Sequence, residues 1–328
     1  MKVTVVGAGA WGTTLSVIFA EAGHEVMLWV YEDKLCGMMV EERENRWYLP
    51  GFQIPLSVDI TCDLSQALTG AELVLFCVPS KHLRGTASSA KAFTPESAII
   101  LSATKGIEGS TFKRMSEVLS EVYPGRAINV ISGPNLSREI AKGLPAATVV
   151  ASSDILEAKK IQSALPLDRF RVYISNDVIG VELGGALKNI IAIAAGIADG
   201  LGLGDNAKSA LMVRGMVEIA RLGASLGAQA DTFSGLSGIG DLITTCSSRL
   251  SRNHCVGVAI AKGEKLNDIL SGAKEVAEGV ATAKAALELA KKHKVEMPIT
   301  EEVCKVLFES KDPYKAITSL MMRELKKE

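Results

Sequence analysis

The chain has 328 residues, 48% of them hydrophobic and 22% charged, a length for about two domains and a composition too apolar for a disordered chain. Its 36 basic and 37 acidic side chains leave a net charge of −1. That excludes a global field for a nucleic-acid backbone or an anionic membrane, while leaving room for a local basic pocket. The cysteines at 36, 62, 77, 246, 255 and 304 include no CxxC, and the four histidines are scattered. Neither a metal cage nor a dithiol redox centre is expected, and core or incidental roles are expected for the thiols. Met1 runs into an apolar strand without a signal-peptide pattern. The longest helical apolar stretch, Ile190–Ala198, is about half of the ~20 residues a bilayer span needs. These features predict a soluble, reduced, cytoplasmic protein with no membrane insertion.

Up to about residue 175, short apolar runs alternate with helical patterns. The runs are Lys2–Val6, Val26–Trp29, Leu73–Val78, Ala98–Leu101, Ala127–Ile131, Ala147–Ala151 and Phe170–Tyr173. Each is short and mostly β-branched or aliphatic, as buried strands are. Helical spacers between most of them predict an α/β fold with a doubly wound parallel sheet. After Asn176 the strand-like runs stop. Helices are predicted from near Asp177, Asp205, Arg252, Gly279 and Pro298, with Asn176 or Asp177 suited to N-cap the first. The reading is a Rossmann-like dinucleotide-binding domain over 1–176 and an all-helical substrate-binding and catalytic domain over 177–328.

Gly7-Ala8-Gly9-Ala10-Trp11-Gly12 fits GxGxxG between the first strand and a helix predicted over Trp11–Ala22. Gly7 would make the tight turn, Gly9 let the backbone approach a pyrophosphate, and Gly12 let helix pack on sheet. The pyrophosphate would sit on the helix N-terminus, where free N–H groups and the dipole favour an anion. A glycine-rich turn without a ligand is the alternative. An acidic residue about 20 positions on should bond the adenine ribose. Glu32 is there, with Asp33 beside it and only Lys34 as a nearby cation. A 2′-phosphate facing Glu32 would meet like charge, so NAD is preferred over NADP; a solvent-facing Glu32 stays open.

Gly184 and Gly185 interrupt a helix predicted to run from about Gly180 to Asp199. Mid-helix glycines cost about 1 kcal/mol each against alanine, which implies that something approaches the helix closely there. Lys188 lies four residues after Gly184 on the same face. It is either an active-site acid/base or a snorkelling surface lysine. Thr104-Lys105-Gly106 and Val78-Pro79-Ser80 follow strands, where sheets of this class present ligand contacts. Lys105 suits a phosphate or carbonyl oxygen, or is a solvated loop lysine. Gly238-Ile239-Gly240-Asp241-Leu242 precedes Ser251-Arg252-Asn253. That cluster reads either as an anion site with a bidentate Arg252 or as an N-capped surface helix.

With these residues in place, the sequence resembles the NAD(P)-dependent glycerol-3-phosphate dehydrogenases of bacterial type over nearly its whole length. The matching motifs are Gly7–Gly12, Asn45-Arg46-Trp47-Tyr48-Leu49-Pro50-Gly51, Val78-Pro79-Ser80, Thr104-Lys105-Gly106, Ser132-Gly133-Pro134, Glu182–Asn189, Gly200–Asn206, Gly238–Leu242, Ser251–Asn253 and Glu278-Gly279. The resemblance implies reversible reduction of dihydroxyacetone phosphate to sn-glycerol 3-phosphate, the phospholipid backbone precursor, and a homodimer. It implies Lys188 as proton donor and acceptor, and Lys105 as a contact to both cofactor and substrate. Gly133 and Asn135 match substrate-loop positions, and Ser137 a cofactor contact. Asp241, Ser251, Arg252 and Asn253 match the substrate site, with Arg252 reaching the cofactor. Ala10, Trp11, Tyr31, Val276 and Glu278 match cofactor contacts. The chain departs from the family near Tyr31–Glu32, where members often carry Arg. It departs also at Asn135, Ser137, His254 and Cys255, where a small hydroxyl residue, Ala and basic residues are usual.

The implied reaction passes a hydride to the carbonyl carbon while Lys188, as ammonium, protonates the resulting alkoxide. Lys105 adds charge, Asp241 orients Lys188, and Arg252, Ser251 and Asn253 hold the phosphate. The reverse direction needs a neutral lysine and is expected to favour alkaline pH. The rival readings are a hydroxyacid or 6-phosphogluconate-type dehydrogenase and a non-catalytic NAD(H)-binding sensor.

Overall fold

The computed structural model describes residues 1–272 and 277–324. The chain divides into two compact units, one of Met1–Lys105 and Lys113–Glu182, the other of Gly106–Phe112 and Leu183 onward.

Eight strands build the first unit: β1 (Lys2–Val6), β2 (Glu25–Trp29), β3 (Val58–Thr61), β4 (Leu73–Phe76), β5 (Ile99–Ser102), β6 (Ile128–Ser132), β7 (Ala146–Ala151) and β8 (Phe170–Ser175). Their helices are α1 (Ala10–Glu21), α2 (Asp33–Glu42), α3 (Leu64–Leu68), α4 (Ser80–Lys91), α5 (Met115–Val122), α6 (Ser137–Ala141) and α7 (Ile155–Ser163). The strands form one sheet in the order β3-β2-β1-β4-β5-β6-β7-β8. The chain turns back between β1 and β4, the switch point at which such sheets open a crevice beyond the strand ends.

Alternation along the strands feeds two cores. Val5 and Leu75 pack with Leu15, Ile18 and Phe19 of α1 on one face. Val6, Val74 and Phe76 pack with Leu83 and Ala87 of α4 and Val118 and Leu119 of α5 on the other. Two details differ from the sequence reading. β3 was not among the expected strands; it is four residues long, with Asp59 exposed, too short and mixed to stand out. The sheet is not parallel throughout, because β6 pairs antiparallel with β7. Side-chain periodicity is the same in both orientations, so only the connection could have revealed it.

The second unit is helical. It takes most of α8 (Val178–Gly200), then α9 (Gly204–Ser225), α10 (Asp241–Ser247), α11 (Arg252–Ala261), α12 (Leu266–Gly272), α13 (Glu278–Lys292), α14 (Pro298–Phe308) and α15 (Pro313–Met321). A π-helical turn over Leu236–Gly240 runs directly into α10. Asp177 caps α8, its carboxylate accepting the Gly180 N–H at 2.9 Å. At 23 residues α8 is long and apolar enough to cross a membrane by length and composition, against the shorter stretch expected from sequence. Most of it is buried inside the fold, as in the core helix of a folded domain. Its small residues bring other elements close: a Cβ on Gly196 would lie 2.0 Å from the His254 carbonyl oxygen of α11.

Candidate functional site

In the first unit, the Gly7–Gly12 turn links β1 to α1. Gly7 has φ +115°, and a Cβ there would sit 2.7 Å from the Cys77 carbonyl oxygen. A Cβ on Gly12 would lie 1.9 Å from the Gly7 carbonyl oxygen, so only glycine lets α1 start this close to the turn. Around Gly9 the space is open, and no side chain caps the N-terminus of α1. Uncapped N–H groups over an open glycine are what a pyrophosphate requires, so these residues fit a dinucleotide. Ala10 and Trp11 open α1, with the Trp11 indole packed on Phe170. Tyr31 is 75% exposed beyond the end of β2. Glu32 occupies the N-cap position of α2 without capping it; it accepts instead from the Tyr48 hydroxyl at 2.9 Å.

The ends of β5 and β6 gather the next group. Lys105 is half-buried and donates to the Gly133 carbonyl oxygen at 3.1 Å. The Thr104 hydroxyl donates to the Val78 carbonyl at 2.8 Å, tying together the loops that follow β4 and β5. Asn135 is bound to β7: its amide donates to the Ala147 carbonyl at 3.2 Å and its oxygen accepts the Thr148 hydroxyl at 2.9 Å. Ser137 opens α6, and its carbonyl accepts from the Thr14 hydroxyl of α1 at 3.4 Å.

In the second unit a buried ion pair stands at the middle of α8. Lys188 Nζ donates to Asp241 Oδ1 and to Thr245 Oγ1, each at 2.5 Å. The two charged side chains are 8% and 2% exposed. Thr245 in turn donates to the Asp241 carbonyl at 2.7 Å, one helical turn back on α10. The close approach inferred from Gly184 is the π-helical turn: a Cβ there would meet the Ser237 carbonyl oxygen at 2.5 Å. Removing that Cβ lets the turn seat Asp241 against Lys188.

Asn189, the next residue of α8, accepts from the Asn253 amide at 3.0 Å, and the Asn253 oxygen accepts the Gly279 N–H at 2.9 Å. A Cβ on Gly279 would lie 2.6 Å from the Asn189 carbonyl oxygen. Ser251 caps α11, its hydroxyl accepting the His254 N–H at 3.3 Å. Arg252 is the exposed first residue of that helix. His254 donates its Nε2–H to Asp199 Oδ2 at 2.7 Å, and Lys208 pairs with the same oxygen at 2.6 Å. The unit therefore presents a buried ammonium and, through Asn189, an arginine-bearing helix N-terminus linked to it.

Models of the NAD-dependent glycerol-3-phosphate dehydrogenase family match the chain in two parts, the N-terminal one over residues 2–158 and the C-terminal one over 177–318. The chain belongs to the NAD-dependent glycerol-3-phosphate dehydrogenase family. It is 47% identical to the glycerol-3-phosphate dehydrogenase [NAD(P)+] of Citrifermentans bemidjiense over 100% of this chain and 98% of that one. It superposes on the glycerol-3-phosphate dehydrogenase of Coxiella burnetii with a TM-score of 0.95 at 37% identity, covering 98% and 99% of the two chains. The yeast glycerol-3-phosphate dehydrogenase, at 26% identity, gives 0.83 over 98% and 99%.

Of the family-matched residues, the fold brings Lys188 together with Asp241, and Lys105 together with Gly133. Glu278 opens α13 beside Gly279, whereas Val276 lies outside the described residues. Two residues escaped the sequence reading as individuals. Thr245 carried a usable signal, its i,i+4 spacing from Asp241. Asn189 shows its part only through the distant Asn253 and Gly279. Burial pushes the Cys246 thiol up to about 12, so it is a neutral core side chain at physiological pH.

Proposed function

We propose that this chain reduces dihydroxyacetone phosphate reversibly to sn-glycerol 3-phosphate with NADH or NADPH, supplying the glycerophospholipid backbone. The observation that carries the reading is the buried Lys188, clasped by Asp241 and Thr245, in a chain that belongs to this dehydrogenase family. When bound, the dinucleotide supplies the hydride. Gly7, Gly9 and Gly12 would hold its pyrophosphate, with Ala10, Trp11, Tyr31, Glu32 and Ser137 around it.

The chain's own work is binding and proton transfer. Arg252 and the N–H groups at the start of α11 hold the substrate phosphate, assisted by Ser251 and Asn253. Lys188, as ammonium, stabilises the negative charge growing on the carbonyl oxygen and then protonates it. Asp241 and Thr245 hold Nζ in place, so no reorientation is needed as the charge develops. Lys105, steadied by the Gly133 carbonyl, adds a second positive charge. In the oxidative direction Lys188 must first lose its proton, which favours alkaline pH. We further propose that the protein works in the cytoplasm as a homodimer; light scattering tests the latter.

The test is loss of reduced-nicotinamide absorbance on adding dihydroxyacetone phosphate. Lys188→Ala is expected to lower kcat by about 10²–10⁴-fold while cofactor affinity stays near wild type. Substrate-dependent oxidation absent with both cofactors would overturn the reading. Near-normal turnover of the variant would remove Lys188 from its role.

A further inference from the structure

We propose that Tyr48 is a positioning residue for cofactor choice: its hydroxyl holds Glu32 ready for an unmodified adenosine ribose, and the chain therefore selects NADH over NADPH. This rests on the dinucleotide-binding reading of the first unit.

Glu32 stands where a dinucleotide-binding unit places its ribose acceptor, beyond the end of β2. Its carboxylate does not cap α2. Oε1 accepts the Tyr48 hydroxyl proton at 2.9 Å, from 16 residues along the chain. Tyr48 is itself fixed. Its ring packs against the core under α1, and its backbone N–H donates to Asn45 Oδ1 at 3.1 Å. Asn45 is fully buried. Its amide donates to the Ala8 carbonyl at 2.7 Å and to Thr13 Oγ1 of α1 at 2.8 Å. One buried asparagine thus anchors both the glycine turn, where the pyrophosphate belongs, and the tyrosine that anchors Glu32.

The chemistry follows from donors and acceptors. An ionised carboxylate only accepts. A ribose 2′,3′-diol offers two O–H donors, which match a carboxylate held still by a phenol on one oxygen. A 2′-phosphate offers acceptors and negative charge, and meets repulsion there. The neighbouring arginines are committed elsewhere. Arg43 donates to the Ile54, Pro55 and Val58 carbonyls, and Arg46 pairs with Glu42 and Glu44. Lys34, exposed on α2, is the nearest cation in sequence to offset that repulsion.

The experiment measures NADH and NADPH dissociation constants by calorimetry for the wild type, Tyr48→Phe, Glu32→Gln and the double variant. The wild type is expected to bind NADH about tenfold or more tightly than NADPH. Tyr48→Phe is expected to weaken NADH about five- to tenfold and leave NADPH unchanged, less than the full worth of one hydrogen bond to a charged group because the phenol reaches the ribose only through the carboxylate. In the Glu32→Gln background the tyrosine substitution should have no further effect, since the phenol acts through the carboxylate. A purely structural role for Tyr48 would weaken both dinucleotides alike in either background, and that result overturns the proposal. Equal wild-type affinities overturn it while leaving the dehydrogenase reading intact. Failure to bind either dinucleotide overturns both.

Discussion

Lys188 is a costly residue to bury. An ammonium taken out of water is tolerated only when paired and hydrogen-bonded, and here Asp241 and Thr245 supply both. The same clasp that keeps the charge in the fold fixes its direction. Asp241→Asn removes the counter-charge with little change of shape. It is expected to lower kcat by about 10- to 100-fold, because misplacing a catalytic group by about 1 Å has that effect. It should also destabilise the protein by about 3 kcal/mol, the cost of an unpaired buried charge. Thr245→Val should lower kcat by less, about tenfold or under. Steady-state kinetics with thermal melts would check all three, and an unchanged kcat in Asp241→Asn would show that the pair is structural only. A close approach beside Lys188 was legible in the sequence because Gly184 stands one turn before it, at a cost that only a close neighbour explains; whether the lysine lies inside or on the surface stays open there. The neighbour itself, the Ser237 carbonyl, was not legible. Nothing local in a sequence states which backbone will arrive across a glycine.

At the scale of elements, the phosphate-binding proposal depends on how closely α8 and α11 approach. A Cβ on Gly196 would lie 2.0 Å from the His254 carbonyl oxygen, and one on Gly257 equally close to the Ile193 carbonyl. Both obstacles are backbone, so an added methyl must push the helices apart. Gly257→Ala is expected to destabilise the fold by about 2 kcal/mol, in the range of overpacked cores. The displaced helix begins at Arg252 and Asn253. The KM for dihydroxyacetone phosphate should therefore rise about tenfold while the NADH dissociation constant, set mainly by the glycine turn and Glu32 of the first unit, changes less. Equal losses in both would mean that the substitution disturbs the protein generally. Elements of this kind were unevenly legible. α1, α9, α11, α13 and α14 begin within a residue of the sequence expectation, because N-caps, glycines and Pro298 mark their starts. β3 and the antiparallel β7 were missed or misoriented. β3 has only two repeats of alternation and, unlike the equally short β4 and β5, no continuous buried apolar run to mark it; strand direction depends on a connection rather than on side chains.

At the scale of the whole molecule, stability should vary with pH through one buried carboxyl in particular. Glu218 on α9 reaches the start of α14, accepting the Ile299 N–H at 2.7 Å and the Thr300 N–H at 3.2 Å. Burial nevertheless outweighs these bonds and pushes its carboxyl up to about 7 from the usual 4.5. A carboxyl whose pKa is raised on folding favours the folded state when protonated. Its contribution is fully present below about pH 4.5 and is lost as pH rises through about 7. The difference of about 2.5 units corresponds to roughly 3 kcal/mol at 1.36 kcal/mol per unit. Glu218→Gln holds a neutral group of the same shape at every pH, and its oxygen still accepts from the start of α14. The other titrating groups are common to both proteins and cancel when the two melting temperatures are subtracted. That difference should shift in favour of the glutamine variant between about pH 4.5 and 7 and stay flat above it. A difference independent of pH would mean that the helix N–H groups hold Glu218 ionised throughout, and that hydrogen bonding rather than burial governs the proton.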